Sequence, residues 1–138
     1  MRIVLDVNVL LSALIRDSTT RNIIINSEFD FCFPEPSLHK IRKYQEYIIK
    51  KSGLSEIEYF IVWENLLKFI KIIPAEDIIG HWYEAKEIME KIDPEDVAFI
   101  ATALILGDSA IWSDDKHFDK QDKVLVFKTK DIINLLPK

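Results

Sequence analysis

At 138 residues, the chain is close to the usual size of one domain and leaves little room for a second. Hydrophobic residues make up 49% of the chain and charged residues 30%, which is typical of a folded soluble protein rather than of a disordered one. The formal net charge of −5 argues against a protein that coats DNA, but it allows an enzyme with a local basic patch.

In chain order, runs of branched and aromatic residues alternate with helix-like segments. The pattern predicts a strand at 2–5, helices at about 7–15 and 18–25, a strand at 31–33, helices at about 37–51 and 55–69, a strand at 70–73, helices at about 80–91 and 93–107, a strand at 110–112, a polar loop at 113–121, a strand at 124–127 and a helix at about 129–136. This alternation, without repeats or a linker, indicates one α/β domain over 1–138 with a parallel sheet of about four to five strands.

Polar residues mark several of the predicted helix ends. Ser18, Thr19 and Thr20 offer N-caps for the second predicted helix, and Ser37 could cap the helix after the second strand. Ser55 with Glu58 has the spacing of a capping box. Gly53 is expected to end the helix that begins near Ser37. The two helices within 55–91, with little strand between them, are expected to form an excursion packed on the sheet.

Cysteine content and hydropathy bear on the compartment. Cys32 is the single cysteine, so no internal disulfide can form, which suits a reducing cytoplasm. Its place between two phenylalanines predicts a buried side chain. No apolar stretch approaches the ~20 residues that span a bilayer. Asp6 follows the start too soon for a signal peptide. We therefore expect a cytoplasmic protein that does not contact membranes.

Four aspartates are the main candidates for chemistry, because each follows a strand-like run or begins a helix-like one. They are Asp6, Asp93, Asp96 and Asp115. Ligands of open parallel sheets bind at the carboxyl ends of the strands, where we expect these side chains to meet. Two like charges at about 4 Å repel by roughly 4 kcal/mol at an effective dielectric constant near 20, so the cluster favours a bound cation. Carboxylate oxygens indicate Mg²⁺ or Mn²⁺.

Simpler roles stay open for the same acids. Asp6 and Asp93 could be N-caps, and Asp96 could stabilise a helix dipole. Asp93 and Asp96 are three residues apart, however, so on one helix both could reach the same ligand. Asp115 lies in a polar loop, and ordinary surface loops are often as polar, so its type alone does not indicate a site. The supporting and alternate residues for the site are Asn8, Ser113, Lys40, Asp114 and Asp119.

Other functional classes lack their signatures. The three histidines do not have the spacing of a zinc site, and no serine lies in a GxSxG motif. A phosphatase of the haloacid-dehalogenase type needs a second aspartate two residues after the first, where this chain has Asn8. The basic stretch 40–43, followed by Tyr44 and Tyr47, could contact a nucleic-acid backbone or could be only a solvated helix face.

Three sequence blocks together resemble the PIN-domain family, the ribonuclease fold shared by VapC-type toxins. They are 5–14 (LDVNVLLSAL), 93–96 (DPED) with Ala101, and 111–115 (IWSDD), in the family's order and spacing. The resemblance implies a three-layer α/β/α fold and an endoribonuclease that depends on Mg²⁺ or Mn²⁺ and cleaves single-stranded RNA. It implies that Asp6, Asp96 and Asp115 carry catalysis and metal binding, with Asp93 in support. It also implies a small antitoxin as partner and a homodimer.

The chain departs from the family at one position. The family usually places a glutamate early in the helix after the second strand, and the natural alignment puts Lys40 there. His39 is the neighbouring candidate, Glu35 precedes the helix, and Glu46 is about 600° of helix rotation away. A lysine here could place its ammonium among the aspartates and weaken metal binding. The alternative function is therefore a weakened or inactive PIN-like module that binds RNA or protein.

Overall fold

Five short segments form a parallel sheet in the computed structural model, which describes residues 1–15 and 18–137. The strands are β1 (Arg2–Leu5), β2 (Asp30–Pro34), β3 (Ile70–Ile73), β4 (Ser109–Trp112) and β5 (Val126–Phe127). Their order is β3-β2-β1-β4-β5, and each neighbouring pair is parallel. Strands β1 and β4 are apolar after their first residues, Arg2 and Ser109, as expected of strands that helices cover on both faces.

Helices form the two outer layers of an α/β/α sandwich. They are α1 (Val7–Ile15), α2 (Thr19–Asn26), α3 (Leu38–Lys43), α4 (Gln45–Ser52), α5 (Glu56–Leu67), α6 (Ala75–Ile78), α7 (Trp82–Met89), α8 (Val97–Leu106) and α9 (Thr129–Leu135). Helix α1 contacts α2 to α5, whereas α8 contacts α6, α7 and strands β1, β2 and β4. The expected three-layer α/β/α fold around a parallel sheet is confirmed.

Helix α8 is apolar on every side, as a helix enclosed by other elements must be. Seven consecutive residues from Val97 to Ala103 are buried between the sheet and α7. The 3₁₀ turn Pro94–Asp96 leads directly into this helix. The packing of α8 therefore fixes the position of the acidic segment at its start.

The crevice between β1 and β4 is the point where the chain changes direction across the sheet. The chain runs from β1 out to β3 and then returns to place β4 beside β1. The backbone N–H of Asp6 donates to the carbonyl of Trp112 at 3.1 Å, so the carboxyl ends of the two strands are joined. Ligands of open parallel sheets bind at such a switch point.

Several predicted features are confirmed at the level of single residues. Strand 70–73 has the predicted bounds, Ser18 caps α2, and Ser55 forms a capping box with Glu58. Gly53 ends α4 with a φ of 74°, a left-handed conformation that glycine adopts without strain. Cys32 is buried, and burial raises the pKa of its thiol.

Other predictions were wrong in detail. The helix predicted over 37–51 is broken at Tyr44, where ψ is 6°, and Ser37 makes no side-chain cap bond. The segment 55–91 is not an excursion, because it supplies β3, which pairs with β2. The loop 113–121 contains a 3₁₀ turn, Lys116–Lys120, since the buried side chain of Phe118 anchors it to the core. Helix α6 follows Pro74 and was not predicted.

Within the described parts of the chain, none of the helices is both long and apolar enough to traverse a lipid bilayer.

Candidate metal centre

Asp6 is held rigidly at the crevice between β1 and β4. Asp6 is the residue directly after β1, and it is only 4% exposed. One carboxylate oxygen, Oδ1, accepts a hydrogen bond from the N–H of Val7 at 2.7 Å, and Oδ2 accepts one from the Ser113 hydroxyl at 2.6 Å. Burial raises the pKa of Asp6, and the two hydrogen bonds oppose that rise.

Ser113 connects two of the acidic residues. It follows β4 and is fully buried. While its hydroxyl donates to Asp6, its oxygen accepts the N–H of Asp115 at 3.0 Å. The Asp115 carboxylate accepts the backbone N–H of His117 at 2.9 Å, which caps the turn 116–120. Ser113 thus sets both the orientation of the Asp6 carboxylate and the course of the backbone at Asp115.

Asp96 carries the clearest sign of an unsatisfied charge. The residue is 7% exposed, and its Oδ2 is buried without a hydrogen-bond partner among the described residues. Burial, together with the charges of Asp6 and Asp93, raises the pKa of Asp96 to about 7. A buried acceptor without a partner costs about 1–3 kcal/mol, and more when the group is charged. A cation beside this oxygen would remove that cost.

Asp93 has the capping role predicted for it and also faces the cluster. Its Oδ1 accepts the N–H of Glu95 at 3.0 Å, and its Oδ2 lies 3.0 Å from His117 Nδ1. Potential ligand atoms of Asp93, Asp96 and His117 all lie within 4.8 Å of one another. The chemistry of this donor set fits a divalent cation, and the unpartnered Oδ2 of Asp96 gives the ion an oxygen that the described residues leave unused.

The acidic residues open into a cleft of about 530 Å³. Its lining residues are Asp6, Val7, Asn8, His39, Lys40, Lys43, Tyr44, Asp93, Glu95, Asp96 and Asp115. Acids that follow β1 and β4, and acids of the turn that leads into α8, form one part of this lining. Helix α3 and the residue after it supply basic and aromatic side chains. Asn8 is exposed at the cleft, and Tyr44 is 41% exposed.

Comparison with known families agrees with this architecture. The family model described as "PIN domain" matches residues 4–129. The chain belongs to the PIN-domain family. A search of curated proteins finds no match. The PIN domain gives the chain a nuclease fold, and its acidic cluster could bind a metal ion.

Lys40 lies in the cleft of this PIN domain, at the position where the resemblance led us to expect a glutamate. Its ammonium lies at the cleft, where it donates to the carbonyl of Glu95 at 2.9 Å and pairs with the Glu95 carboxylate at 3.2 Å. The Lys40 side chain is 16% exposed, and its charge lowers the pKa of Asp6 and of Asp96. Lys40 therefore acts on the acidic cluster electrostatically, while Glu95 takes its hydrogen bonds.

Some candidate acids are directed away from the cleft of this PIN domain. Asp114 accepts the N–H of Thr129 at 2.9 Å and its hydroxyl at 2.6 Å, at the start of α9. Asp119 pairs with Lys128 at 3.0 Å. Glu35 accepts the N–H of Ala75 at 3.0 Å, and Glu46 is exposed on α4.

His117 is the cleft residue that sequence reasoning missed. The three histidines do not have the spacing of a zinc site, so the sequence pattern did not single out His117. The available signal was its place two residues after Asp115, in a segment that follows a strand at the carboxyl edge. The turn 116–120 folds this segment back, so the imidazole reaches Asp93 across 24 residues of sequence.

Proposed function

We propose that the protein is a divalent-metal-dependent endoribonuclease that cleaves single-stranded RNA. The observation that carries the proposal is the buried, unpartnered Oδ2 of Asp96, whose pKa is raised to about 7 partly by the charges of neighbouring aspartates. Such an arrangement is costly in a metal-free protein. A cation bound between the carboxylates would neutralise their charges and remove that cost.

The proposed ligands are the carboxylates at the carboxyl edge of the sheet. Asp6, Asp96 and Asp115 would hold Mg²⁺ or Mn²⁺, with Asp93 in support. When bound, a divalent ion at this place lowers the pKa of a coordinated water and offsets the charge that builds on the phosphate. Ser113 positions the Asp6 carboxylate, because its hydroxyl donates to Oδ2 at 2.6 Å.

The residues that α3 and its end contribute to the cleft are suited to the substrate. Lys43 Nζ lies 5.6 Å from the ring centroid of the exposed Tyr44, so a cation and an aromatic face are presented together. Single-stranded nucleic acids are bound by such pairs, since the base stacks on the ring and the cation contacts the phosphate. We assign Asn8, which lines the same cleft, to hydrogen bonding with the substrate.

A cleavage assay tests this function. With Mn²⁺, the wild-type protein should cleave an unstructured RNA, and a chelator should stop the reaction. Asp6→Asn and Asp96→Asn should abolish cleavage. Asp108→Asn is the matched control, because Asp108 is an exposed aspartate before β4, at the opposite edge of the sheet. Undiminished cleavage in both Asp6→Asn and Asp96→Asn would refute the assignment.

Lys40 supports a second candidate, a weakened or inactive module that binds RNA or a protein. Its ammonium already offsets part of the negative charge that the cation would neutralise. Lys40→Glu separates the two candidates in the same assay. Cleavage by the wild type supports the enzyme, whereas cleavage that appears only in Lys40→Glu supports a degenerate site.

The biological setting is a finer proposal, supported by the resemblance to VapC-type toxins. We assign the chain to the cytoplasm as the homodimeric toxin of a toxin–antitoxin pair, neutralised by a small protein. Expression of the wild type should arrest growth, and expression of Asp96→Asn should not. Light scattering on the purified protein gives the oligomeric state. Equal growth with both genes would contradict the toxin role but not the cleavage chemistry.

A further inference from the structure

His117 brings a nitrogen donor into the carboxylate cluster. Its Nδ1 lies 3.0 Å from Asp93 Oδ2, 3.6 Å from Asp115 Oδ1 and 3.9 Å from Asp96 Oδ2. The backbone N–H of the same residue is bonded to Asp115 at 2.9 Å. His117 is therefore fixed at its backbone, and Nδ1 of its ring faces three carboxylates.

A second observation indicates that this arrangement is built for a ligand. The Asp96 side chain is only 10% exposed, and its Oδ2 makes no hydrogen bond within the described part of the chain, although Nδ1 of His117 lies within 4 Å of it. The ring turns instead toward Asp93, at hydrogen-bond distance. An ion placed among these groups could contact the unused oxygen of Asp96 and the nitrogen of His117 together.

We propose that His117 is a metal ligand through Nδ1, together with Asp93 and Asp96, and that this nitrogen makes the site select Mn²⁺ over Mg²⁺. The inference rests on the proposed metal-dependent function and adds the identity of the ion. Mg²⁺ takes oxygen ligands and keeps several of its waters, whereas imidazole suits first-row transition metals. A neutral ring that carries its proton on Nε2 leaves the Nδ1 lone pair free to coordinate.

The contact between His117 and Asp93 has one role in the metal-free protein and another when an ion is bound. In the metal-free protein, an Nδ1–H of His117 donates to Asp93 Oδ2 and holds the ring toward the cluster. For an ion to bind here, Nδ1 would have to lose its proton to water, and the ring would carry its proton on Nε2 instead, so that the Nδ1 lone pair could reach the ion. Without the ion, this hydrogen bond keeps Nδ1 directed at the carboxylates that would share the ion.

The cleft also contains a matched control. His39 lines the same cavity, but its Nδ1 is engaged with the carbonyl of Pro36 at 2.7 Å. His39 does not belong to the group formed by Asp93, Asp96 and His117 in the described structure. Replacing either histidine with glutamine removes one imidazole from the cleft, and we expect only the change at position 117 to affect the ion.

The direct test is pulsed electron paramagnetic resonance of Mn²⁺ added to the full chain, with calorimetry of Mn²⁺ and Mg²⁺ binding. The wild type and His39→Gln should show modulation from a coordinated ¹⁴N nucleus, and His117→Gln should lose it. The same substitution should weaken Mn²⁺ binding by about tenfold or more. Mg²⁺ binding should change much less, so that the preference for Mn²⁺ falls.

Each contrary result has a separate meaning. Bound Mn²⁺ without ¹⁴N modulation in the wild type, or modulation that survives in His117→Gln, overturns the role of His117 and leaves the carboxylate site standing. If the modulation is lost in His39→Gln instead, the coordinated nitrogen belongs to His39, and the role of His117 is overturned. Failure of the wild type to bind Mn²⁺ overturns both this inference and the proposed function. A wild-type spectrum with bound Mn²⁺ and no ¹⁴N modulation overturns the inference whether or not the variants fold.

Discussion

The pH dependence of stability gives a quantitative test of Asp96 in the metal-free protein. Burial and neighbouring charges raise the pKa of this carboxyl from 3.8 to about 7 in the folded state. Between these values the folded protein keeps the Asp96 proton, whereas the unfolded chain has lost it. The free energy of unfolding must therefore fall as pH rises through this window.

The size of the effect follows from the two pKa values. Each pH unit inside the window changes the free energy of unfolding by up to about 1.4 kcal/mol, and the slope flattens near pH 7 as the folded state begins to ionise. From pH 5 to pH 7, Asp96 should therefore reduce the stability of the wild type by about 2 kcal/mol. Asn cannot ionise, so the Asp96→Asn variant should lack this part of the pH dependence of stability.

Urea denaturation in the presence of a chelator measures the effect. The wild type, Asp96→Asn and Asp108→Asn are unfolded at pH 5 and pH 7, and the changes in stability are compared. Asp108→Asn should follow the wild type, because that residue is exposed at the other edge of the sheet. If Asp96→Asn keeps the full pH dependence of the wild type, the reasoning about the buried carboxyl is refuted. Saturating Mn²⁺ should oppose the loss, since ionised carboxylates bind the ion more tightly as pH rises.

Three further substitutions test separate parts of the structure. Ser113→Ala should lower stability by about 1–3 kcal/mol, measured by urea denaturation, because Asp6 Oδ2 loses its buried donor; an unchanged midpoint would contradict this. Asp114→Ala should cost about 1 kcal/mol by uncapping α9, and it should leave Mn²⁺ affinity in calorimetry unchanged; weaker Mn²⁺ binding would place Asp114 in the site after all. Tyr44→Ala should weaken binding of single-stranded RNA by about 1–3 kcal/mol in a fluorescence titration, and equal affinity would remove Tyr44 from the substrate path.

Much of the sheet and its acidic edge could be predicted because local signals were strong. The run 70–73 consists of branched residues and lysine and stops at Pro74, so its bounds were readable. Asp6 and Asp115 follow apolar strands, and Asp93 precedes a proline that suits the first position of a helix. These signals depend on neighbouring residues only, which is why they are visible in one sequence.

The errors arose where tertiary contacts decide the structure. No glycine or proline marks the helix break at Tyr44, and the buried Ile41 and Ile48 on either side were compatible with one continuous helix. Glu35 finds its partner, the N–H of Ala75, 40 residues away. His117 reaches Asp93 only because the turn 116–120 is anchored by a buried side chain. Contacts of this kind have no short-range signature.

A crystal structure of the protein soaked with Mn²⁺ tests the metal site most directly. Anomalous scattering should place an ion in coordination contact with Asp96 Oδ2, at the carboxyl ends of β1 and β4. It would also show whether the Lys40 ammonium stays with Glu95 or moves toward the ion. An anomalous peak only on exposed acids such as Asp108, with Asp96 Oδ2 still without a partner, would contradict the account.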